Sequence, residues 1–430
     1  MLSRRIAVVG GGWAGLSAAV SATEAGHQVT LFEMAPQAGG RARRVDHDAE
    51  LALDNGQHIL IGAYTETLAL MRRVGADPEA LLRRLPLTLV GPDGLGLRLP
   101  AGAAVPSFVR AVLGRRGWSL GERLGLLAMA LRWRVQGFEA DAQVSVDQLT
   151  RGLSARVRQT LIEPLCVAAL NTPAHQASAR VFLRVMRDAL FGGPGAADLM
   201  LPRVPLSALL PDPATQWLCA AGATLRCATR VHALAPTPQG WAVDGETFDV
   251  VVLACSAHEA ARLSLPLAPG WARQAAAFDY EPIVTVYLQS RGTRLPQAMT
   301  ALDSNADAPA QFVFDLGAID GGGARAGVFA FVVSGARNWV DRGLDATASA
   351  AQQQANTAFA PGTWREAPVH LRTLAEKRAT FLCTPGLRRP PAAVAARLWA
   401  AGDYVDGPYP ATLEGAVRSG ATAAAELGRA

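Results

Sequence analysis

Lysine is almost absent from this chain. The sequence of 430 residues contains 41 basic residues, but Lys377 is the only lysine and the others are arginines. Schiff-base chemistry and the phosphate-binding loop of many nucleotide hydrolases each require a lysine, so Lys377 is the single candidate for either role. It lies in no glycine-rich loop, which argues against a nucleotide hydrolase of that type.

Cysteine and long apolar runs are also scarce. The five cysteines are scattered and form no C-x-x-C pair, which argues against a disulfide framework and against a cysteine-based zinc site. No run approaches the roughly 20 apolar residues of a membrane-spanning helix. Cleavage of a secretory signal would destroy the glycine-rich turn that begins at Gly10. We therefore expect a cytoplasmic protein without a bound metal.

The formal charge of +5 raises the question of an anionic partner. No stripe of interleaved aromatic and basic residues is present, which argues against nucleic acid. The stretch from Pro106 to Gln136 combines leucines, Trp118 and Trp133 with several arginines. A helix of this composition can contact an anionic membrane peripherally, at the inner face. Alternatively, the same helix packs on the core of its own domain and its arginines are solvated.

A dinucleotide-binding unit is predicted at the N-terminus. The β-branched run from Arg5 to Val9 is followed by a glycine-rich turn at residues 10–15 and by a helix that ends near Gly26. A second strand follows from His27 to Glu33. Strand, glycine turn, helix and strand within about 30 residues form the βαβ unit of a dinucleotide site.

The glycines of this turn each have a distinct predicted role. Gly10 makes the turn, Gly12 lets the backbone approach a diphosphate, and Gly15 lets the helix pack closely on the strand. Trp13 and Ala14 lie in the same turn and are also predicted cofactor contacts. The helix is predicted to begin near Leu16, and the free N–H groups and the positive dipole end of its N-terminus face the diphosphate.

Two further features concern the sugar and the identity of the cofactor. Glu33 closes the second strand, where a carboxylate accepts hydrogen bonds from ribose hydroxyls and repels a 2′-phosphate. Gly40 and Arg41 follow shortly afterwards, and they permit close backbone approach and pairing with a diphosphate. NAD dehydrogenases do not usually carry such a segment here, so the sequence favours FAD.

The C-terminal segment supplies a third predicted cofactor contact. An apolar strand ends at Gly402 and Asp403, and this carboxylate can bind a ribitol hydroxyl. Glu414 and Ala416 open the last predicted helix. The N-terminus of that helix can stabilise negative charge at the pyrimidine end of a reduced flavin.

These segments resemble the large flavoprotein superfamily of amine oxidases and phytoene desaturases. The resemblance runs along the full chain and includes the segment Thr229 to Val231 and the apolar run Asp249 to Ala254. It implies an α/β fold with a Rossmann-like FAD domain of the glutathione-reductase type, and a backbone contact from Val231 to the adenine. Amine oxidases of this superfamily typically place a mid-chain lysine near the flavin N5. The absence of such a lysine argues against amine oxidation by that arrangement.

Within this superfamily, the chain is most similar to the hydroxysqualene dehydroxylases, also described as squalene-associated FAD-dependent desaturases. The family reaction reduces hydroxysqualene to squalene in bacterial squalene and hopanoid synthesis. This implies an apolar C30 isoprenoid substrate and an electron donor that the sequence does not identify. The segments that carry the resemblance include Asp54-Asn55-Gly56-Gln57-His58, Ala169-Leu170-Asn171-Thr172, Glu376-Lys377-Arg378-Ala379-Thr380 and Gly407 to Ala416.

The implied reaction requires a general acid near the leaving hydroxyl. Gly56, Gln57 and His58 are expected to pass the flavin, which makes His58 one candidate acid. Tyr404 and Tyr409, just after Gly402-Asp403, are the others. Each has an alternative role, because His58 could be a structural histidine and the tyrosines could form the wall of an apolar tunnel.

The domain organisation follows from the same segments. Residues 1–65, 215–265 and 390–430 are predicted to assemble the FAD-binding domain. Residues 66–214 and 266–389 are predicted to form a substrate-binding domain that is part helix and part sheet. Three alternative functions remain open, namely a phytoene-type desaturase that oxidises its substrate, an amine oxidase, and a non-catalytic isoprenoid carrier with a vestigial flavin site.

The apolar patterns also predict individual elements. Tyr64 to Leu85 is predicted to be helical, and Thr224 to Leu234 is predicted to pair with Gly240 to Phe248 as strands. The run from Asp249 to Ala254 is continuously apolar after its first residue, which predicts a strand buried on both faces of a parallel sheet.

Overall fold

The computed structural model describes residues 3–45, 51–100 and 102–427. The strands in these residues are β1 (Arg5–Val9), β2 (Gln28–Phe32), β3 (Leu60–Ile61), β4 (Leu82–Leu85), β5 (Thr88–Val90), β6 (Gly96–Arg98), β7 (Leu199–Pro202), β8 (Thr224–Arg226), β9 (Leu234–Pro236), β10 (Trp241–Val243), β11 (Glu246–Phe248), β12 (Val250–Leu253), β13 (Tyr280–Gln289), β14 (Met299–Ala301), β15 (Phe312–Asp315), β16 (Val328–Val333), β17 (Val369–Phe381), β18 (Ala393–Ala395) and β19 (Leu398–Ala400).

Helices connect and cover these strands, and one of them is interrupted by a π-helical turn at Arg158–Ile162. The α-helices are α1 (Trp13–Glu24), α2 (Thr65–Arg73), α3 (Pro78–Leu81), α4 (Ala104–Leu113), α5 (Leu120–Val135), α6 (Val146–Leu149), α7 (Ala155–Val157), α8 (Glu163–Leu170), α9 (Ala179–Leu190), α10 (Leu206–Leu209), α11 (Pro211–Ala220), α12 (Ala257–Ser264), α13 (Pro269–Ala276), α14 (Leu316–Asp320), α15 (Arg337–Arg342), α16 (Leu344–Ala358) and α17 (Leu413–Glu426).

A six-stranded sheet forms the first layer, in the order β18-β19-β12-β1-β2-β8. Strand β1 lies in the middle and runs parallel to β2 and β12, with Ile6 opposite Val250. All four residues of β12 are buried, which confirms the predicted buried strand. Because the carboxyl ends of parallel strands meet at one edge, the loops after β1, β12 and β19 come together there.

Two helices cross on one face of this sheet. A Cβ at Gly420 of α17 would lie 2.1 Å from the Ala14 carbonyl oxygen of α1, so only glycine allows this close approach. The Ser17 hydroxyl donates to the Val417 carbonyl at 2.8 Å and joins the same two helices. The N-termini of α1 and α17 are thereby held side by side at the edge where the parallel strands end. Helices α12 and α13 and the small sheet β9–β11 cover the other face.

A five-stranded antiparallel sheet forms the second layer, in the order β14-β15-β16-β13-β17. Its middle strand β16 is fully apolar, and the burial of all six of its residues shows that both faces are covered. Helix α16 packs behind it through Ala351 and Ala355. A separate helical cluster, formed mainly by α4, α5, α8 and α9, packs around Trp118, Trp133 and Phe182.

The predicted helix from Tyr64 to Leu85 is wrong in its second half. Helix α2 ends before Gly75, which has a φ of 83°, and a new short helix begins at Pro78 with the Asp77 side chain as its N-cap. Strand β4 then pairs with β7. The left-handed glycine and the helix-starting proline override the apolar spacing.

The predicted strand from Thr224 to Leu234 is also wrong. Strand β8 pairs in parallel with β2 of the main sheet, whereas β9 pairs with β10. The chain turns between them at Ala228, which has a φ of 51°. This turn carries Thr229, Arg230 and Val231 to the open edge of the main sheet.

Candidate active site

A cavity of about 610 Å³ opens at the carboxyl edge of the six-stranded sheet. One part of it follows the loops after β1, β2, β12 and β19, and we call this part the cofactor track. The other part extends beneath the five-stranded sheet, and we call it the apolar chamber. The chamber wall includes Val167, Leu170, Ile283, Phe312, Phe314 and Val332.

The glycine-rich turn has the geometry that a diphosphate requires. A Cβ at Gly10 would lie 2.6 Å from the Ala254 carbonyl oxygen, and one at Gly15 would lie 1.9 Å from the Gly10 carbonyl oxygen. At Gly12 the nearest atom to a Cβ would be 3.9 Å away. No side chain caps α1 among the described residues, so the N–H groups of its first turn face the cavity at Trp13 and Ala14.

One end of the track lies between Glu33 and Val231, the two residues predicted to contact the adenosine. The Glu33 carboxylate accepts hydrogen bonds from the N–H groups of Gly11 at 2.7 Å and Ala35 at 2.8 Å, which fixes it beside the turn. The Val231 carbonyl accepts from Arg262 at 2.8 Å. Its N–H has no acceptor within the part of the chain that the structure describes. These positions fit a ribose and an adenine ring, and the assignment of both contacts stays a prediction.

Arg41 and Asp403 meet in the middle of the cofactor track. The Arg41 guanidinium lies 2.6 Å from the Asp403 carboxylate and also donates to the Ala379 carbonyl of β17 at 2.8 Å. Gly40 approaches Gly12 so closely that a Cβ on it would lie 3.2 Å from the Gly12 Cα. Arg41 therefore joins its own glycine segment to Asp403 near the C-terminus and to β17 of the second sheet.

Gly56, Gln57 and His58 line the cavity, as the predicted passage past the flavin requires. Burial, together with the positive charge of Arg41, lowers the pKa of His58 to about 4. The imidazole is therefore neutral near pH 7, where it can accept a hydrogen bond or donate one weakly. Its role as an acid stays a prediction.

Tyr404 lines the cavity and is almost fully buried. The residue is 2 % exposed, and its hydroxyl oxygen is buried without a hydrogen-bond partner among the described residues. The ring covers Gly402, where a Cβ would lie 2.4 Å from it, and meets Phe278 edge-on at 6.2 Å. This placement favours the wall role over the acid role.

Tyr409 lies outside the cavity, which corrects its proposed role as an acid. Its hydroxyl donates to the Asp188 carboxylate at 2.8 Å. The guanidinium groups of Arg184 and Arg418 lie 5.5 Å and 5.1 Å from its ring centre. The sequence pattern placed the residue near the flavin, but the loop after Asp403 turns the side chain toward α9.

Glu414 also departs from its predicted contact with the cofactor. Its fully buried carboxylate accepts from the Thr67 N–H at 2.9 Å, from the Thr67 hydroxyl at 2.7 Å and from the Glu66 N–H at 3.1 Å. Arg418 donates to it at 2.7 Å. Glu414 therefore joins α17 to the start of α2, and only Ala416 of this predicted pair lines the cavity.

Glu376, Tyr280 and Asn171 line the cavity, and the sequence had not assigned a role to any of them. Asn171 has a φ of 47°, and its side-chain amide donates to the Thr380 hydroxyl at 2.9 Å. The segments that contain Glu376 and Asn171 carried the family resemblance, which was the available signal for both.

Asp54 supports the cavity from behind and gives a testable dependence on pH. Its carboxylate accepts from the Leu206 N–H at 2.8 Å, and burial raises its pKa from 3.8 to about 7. The folded protein therefore holds a proton that the unfolded chain releases above pH 4. The free energy of unfolding should fall as the pH rises from about 4 to about 7.

We expect Asp54→Asn to remove that fall, because the amide oxygen can still accept from Leu206. Between pH 4.5 and pH 8, the variant should gain on the order of 2–4 kcal/mol relative to the wild type in denaturant unfolding. The exposed control Asp307→Asn should follow the wild type. Parallel pH curves for the wild type and Asp54→Asn would show that Asp54 is charged in the folded protein.

The fold and this cavity define an FAD-dependent oxidoreductase. Two helix N-termini, a glycine turn and a ribose-side carboxylate are arranged along one track that ends at an apolar chamber. The chain belongs to the family of flavin containing amine oxidoreductases, whose model matches residues 13–428. Among the described residues, no group of three or more His, Cys, Asp or Glu side chains is arranged to hold a metal ion.

Several known proteins are similar to this chain. A hydroxysqualene dehydroxylase from Rhodopseudomonas palustris is 30% identical over 449 residues, which cover 98% of each chain. A zeta-carotene desaturase from Zea mays is 33% identical over 113 residues, which cover 25% of this chain and 20% of that one. An oxidoreductase structure from Methanosarcina mazei superposes with a TM-score of 0.74 at 16% identity, covering 98% of this chain and all of that one.

Proposed function

We infer that the protein catalyses the FAD-dependent reductive dehydroxylation of hydroxysqualene to squalene. The observation that carries this inference is the continuity of the cofactor track with a chamber walled by aliphatic and phenylalanine side chains. Such a chamber suits a long hydrocarbon and offers little to a small polar substrate. The full-length similarity to a hydroxysqualene dehydroxylase supports the same substrate.

The reaction replaces an allylic hydroxyl by hydrogen. The C–O bond breaks, the hydroxyl leaves as water after taking up a proton, and the remaining allylic cation accepts a hydride. Reduced FAD supplies that hydride when bound. The chain's residues must hold the hydrocarbon, exclude bulk water and stabilise charge at the reacting carbon. An electron donor, still to be identified, must restore the reduced flavin.

Two alternative activities use the same fold. A phytoene-type desaturase would oxidise its substrate, but the similarity to the maize desaturase covers only a quarter of this chain. An amine oxidase of the usual arrangement would need a lysine in the cavity, whereas Lys377 is exposed and lies outside the cavity wall.

Product analysis with hydroxysqualene and with phytoene tests the proposal. Formation of squalene from hydroxysqualene, with no reaction of phytoene, supports the proposal. Desaturation of phytoene would indicate a desaturase instead, and release of peroxide from amines would indicate an amine oxidase.

We also propose that the enzyme works at the inner face of the membrane, through helix α5. No described helix combines the length and apolarity needed to cross a bilayer. Trp118 and Trp133 are both buried at 5% exposure, so the two tryptophans follow the alternative expectation and pack in the core of the helical cluster. An exposed stripe takes their place and consists of Leu120, Leu124, Leu131 and Val135, which are 52–80% exposed.

The stripe has helical spacing, since its members stand 4, 11 and 15 positions after Leu120 and so share one face of α5. Arg132 and Arg134 are exposed on the same helix, and Arg110 and Arg116 are exposed in the segment before it. Exposed apolar and basic residues in one segment fit an anionic bilayer surface. A hydrocarbon substrate dissolved in that bilayer would then meet the protein on this side.

Replacing Leu120, Leu124 and Leu131 together by glutamine should weaken binding to anionic vesicles by about tenfold or more. Vesicle sedimentation with phosphatidylglycerol-containing liposomes measures this. The matched control replaces three exposed leucines elsewhere, Leu265, Leu344 and Leu387, and should bind as the wild type does. Equal binding by both triple variants would exclude α5 as the contact.

A further inference from the structure

A carboxylate stands at the border between the cofactor track and the apolar chamber. Glu376 of β17 lies opposite Ile283 of β13 in the antiparallel ladder, and directly opposed residues project to the same face of a sheet. Both residues line the cavity. Val332 and Phe312 extend the same wall on the neighbouring strands β16 and β15. The acid is thus set into the edge of a hydrocarbon surface.

Both oxygens of this side chain accept hydrogen bonds. The side-chain amide of Asn55 donates to Oε2 at 3.0 Å, and the Arg378 N–H donates to Oε1 at 3.1 Å. Both oxygens therefore act as acceptors, and these two N–H donors fix the orientation of the side chain. Asn55 itself is anchored, because its amide also donates to the Arg41 carbonyl at 3.2 Å.

This negative charge lacks an ion-pair partner among the described residues. Arg41 lies within electrostatic reach, but its guanidinium is already paired with Asp403 at 2.6 Å. The other acids of the cavity are engaged differently. Glu33 is fixed beside the glycine turn, and Glu259 pairs with Arg262 at 3.0 Å. Among the cavity acids that the structure describes, Glu376 is therefore the one that adjoins the apolar wall without an ion-pair partner.

We propose that the Glu376 carboxylate is a catalytic residue that stabilises the allylic cation, and that Asn55 is the positioning residue that holds it. This proposal rests on the proposed function. The C–O bond breaks and the hydroxyl leaves as water after it takes up a proton from a general acid, which is reprotonated from solvent. Positive charge then spreads over the allylic carbons until hydride from reduced flavin forms the new C–H bond. The carboxylate is unchanged at the end. A fixed charge in a water-poor site interacts strongly with charge that develops in the transition state.

The test uses Glu376→Gln, which keeps the size of the side chain and removes its charge. Two ligands probe the flavin-loaded protein: squalene, and a C30 isoprenoid amine whose ammonium group replaces the hydroxyl. A cation mimic should bind the wild type more tightly than the hydrocarbon does. The variant should lose about 10- to 100-fold of ammonium affinity, keep its squalene affinity within about twofold, and lose about 100-fold or more in kcat.

Control variants separate charge from structure. Glu366→Gln, on an exposed loop before β17, should match the wild type in every measurement. Glu376→Asp retains the charge and should keep much of the ammonium preference, whereas Asn55→Ala frees the carboxylate and should reduce it. These two variants decide the question if Glu376→Gln fails to fold.

The outcomes also separate this inference from the function on which it rests. A wild-type protein that forms no squalene from hydroxysqualene would refute the proposed function. Squalene formation by the wild type, with unchanged kcat and ammonium preference in Glu376→Gln, would refute the role of Glu376 alone. If Glu376→Gln does not fold, the other two variants decide. An ammonium preference in Glu376→Asp and in Asn55→Ala equal to that of the wild type would refute the role of Glu376.

Discussion

Replacing Gly15 by alanine will yield a protein that purifies with little or no flavin. A Cβ at this position would lie 1.9 Å from the carbonyl oxygen of Gly10 and 3.2 Å from the Cβ of Ala254. Gly10 cannot yield, because its N–H is bonded to the Phe32 carbonyl at 2.7 Å and its own Cβ position is filled by Ala254. Helix α1 must therefore move away from β1. Its N-terminal N–H groups would then lie too far from the diphosphate to bind it as proposed. Overpacking of this kind costs about 1–3 kcal/mol, which corresponds to about a 5- to 150-fold loss of FAD affinity if the whole cost falls on binding.

The measurement is flavin absorbance per polypeptide, followed by titration of the apoprotein with FAD. Gly125→Ala in α5 is the matched control, since no atom lies within 4 Å of its added Cβ. It should keep its flavin and gain up to about 1 kcal/mol in the free energy of unfolding. A Gly15→Ala protein with a full complement of flavin would mean that the turn does not hold the cofactor as described.

Replacing Glu414 by alanine will destabilise the fold strongly, although its carboxylate does not line the cavity. The change leaves the Thr67 N–H and hydroxyl without their buried acceptor and removes the partner of Arg418. Loss of one member of a buried charged network costs about 3–5 kcal/mol. Denaturant unfolding should show this loss, and the fraction that remains folded should still bind FAD.

The exposed control Glu139→Gln should change the free energy of unfolding by less than about 0.5 kcal/mol. The comparison distinguishes the observed position of Glu414 from the position that the sequence suggested. A Glu414→Ala protein of normal stability that had lost only its flavin would restore the cofactor role.

The N-terminal unit could be predicted because its signals are local. The glycines at positions 10, 12 and 15 lie within six residues of one another, and the Gly15 Cβ would clash with the carbonyl oxygen of Gly10 in the same turn. The run after Asp249 is equally informative, since a strand buried on both faces needs continuous apolar residues.

The remainder of the site depends on side-chain direction and on long-range register. Sequence spacing places Glu414 in the first turn of a helix but does not say whether it faces the flavin or α2. Tyr409 lies in an irregular loop, where no periodicity fixes the side chain. The face of Glu376 depends on its pairing with Ile283, which is 93 positions earlier in the chain.

Helix α5 shows the same ambiguity in another form. Its apolar residues occupy two faces, one packed in the core through Leu126 and Trp133 and one exposed through Leu124 and Leu131. A single sequence shows both sets and cannot assign either to the interior. Only the packing of α4, α8 and α9 around the helix makes that distinction.

Anaerobic mixing of the reduced, FAD-loaded protein with hydroxysqualene tests the direction and the substrate together. We predict that the flavin spectrum returns to the oxidised form only when hydroxysqualene is added, and that one squalene is produced for each flavin oxidised. A flavin that stays reduced in the presence of hydroxysqualene, or that is reoxidised without squalene appearing, would contradict the assignment.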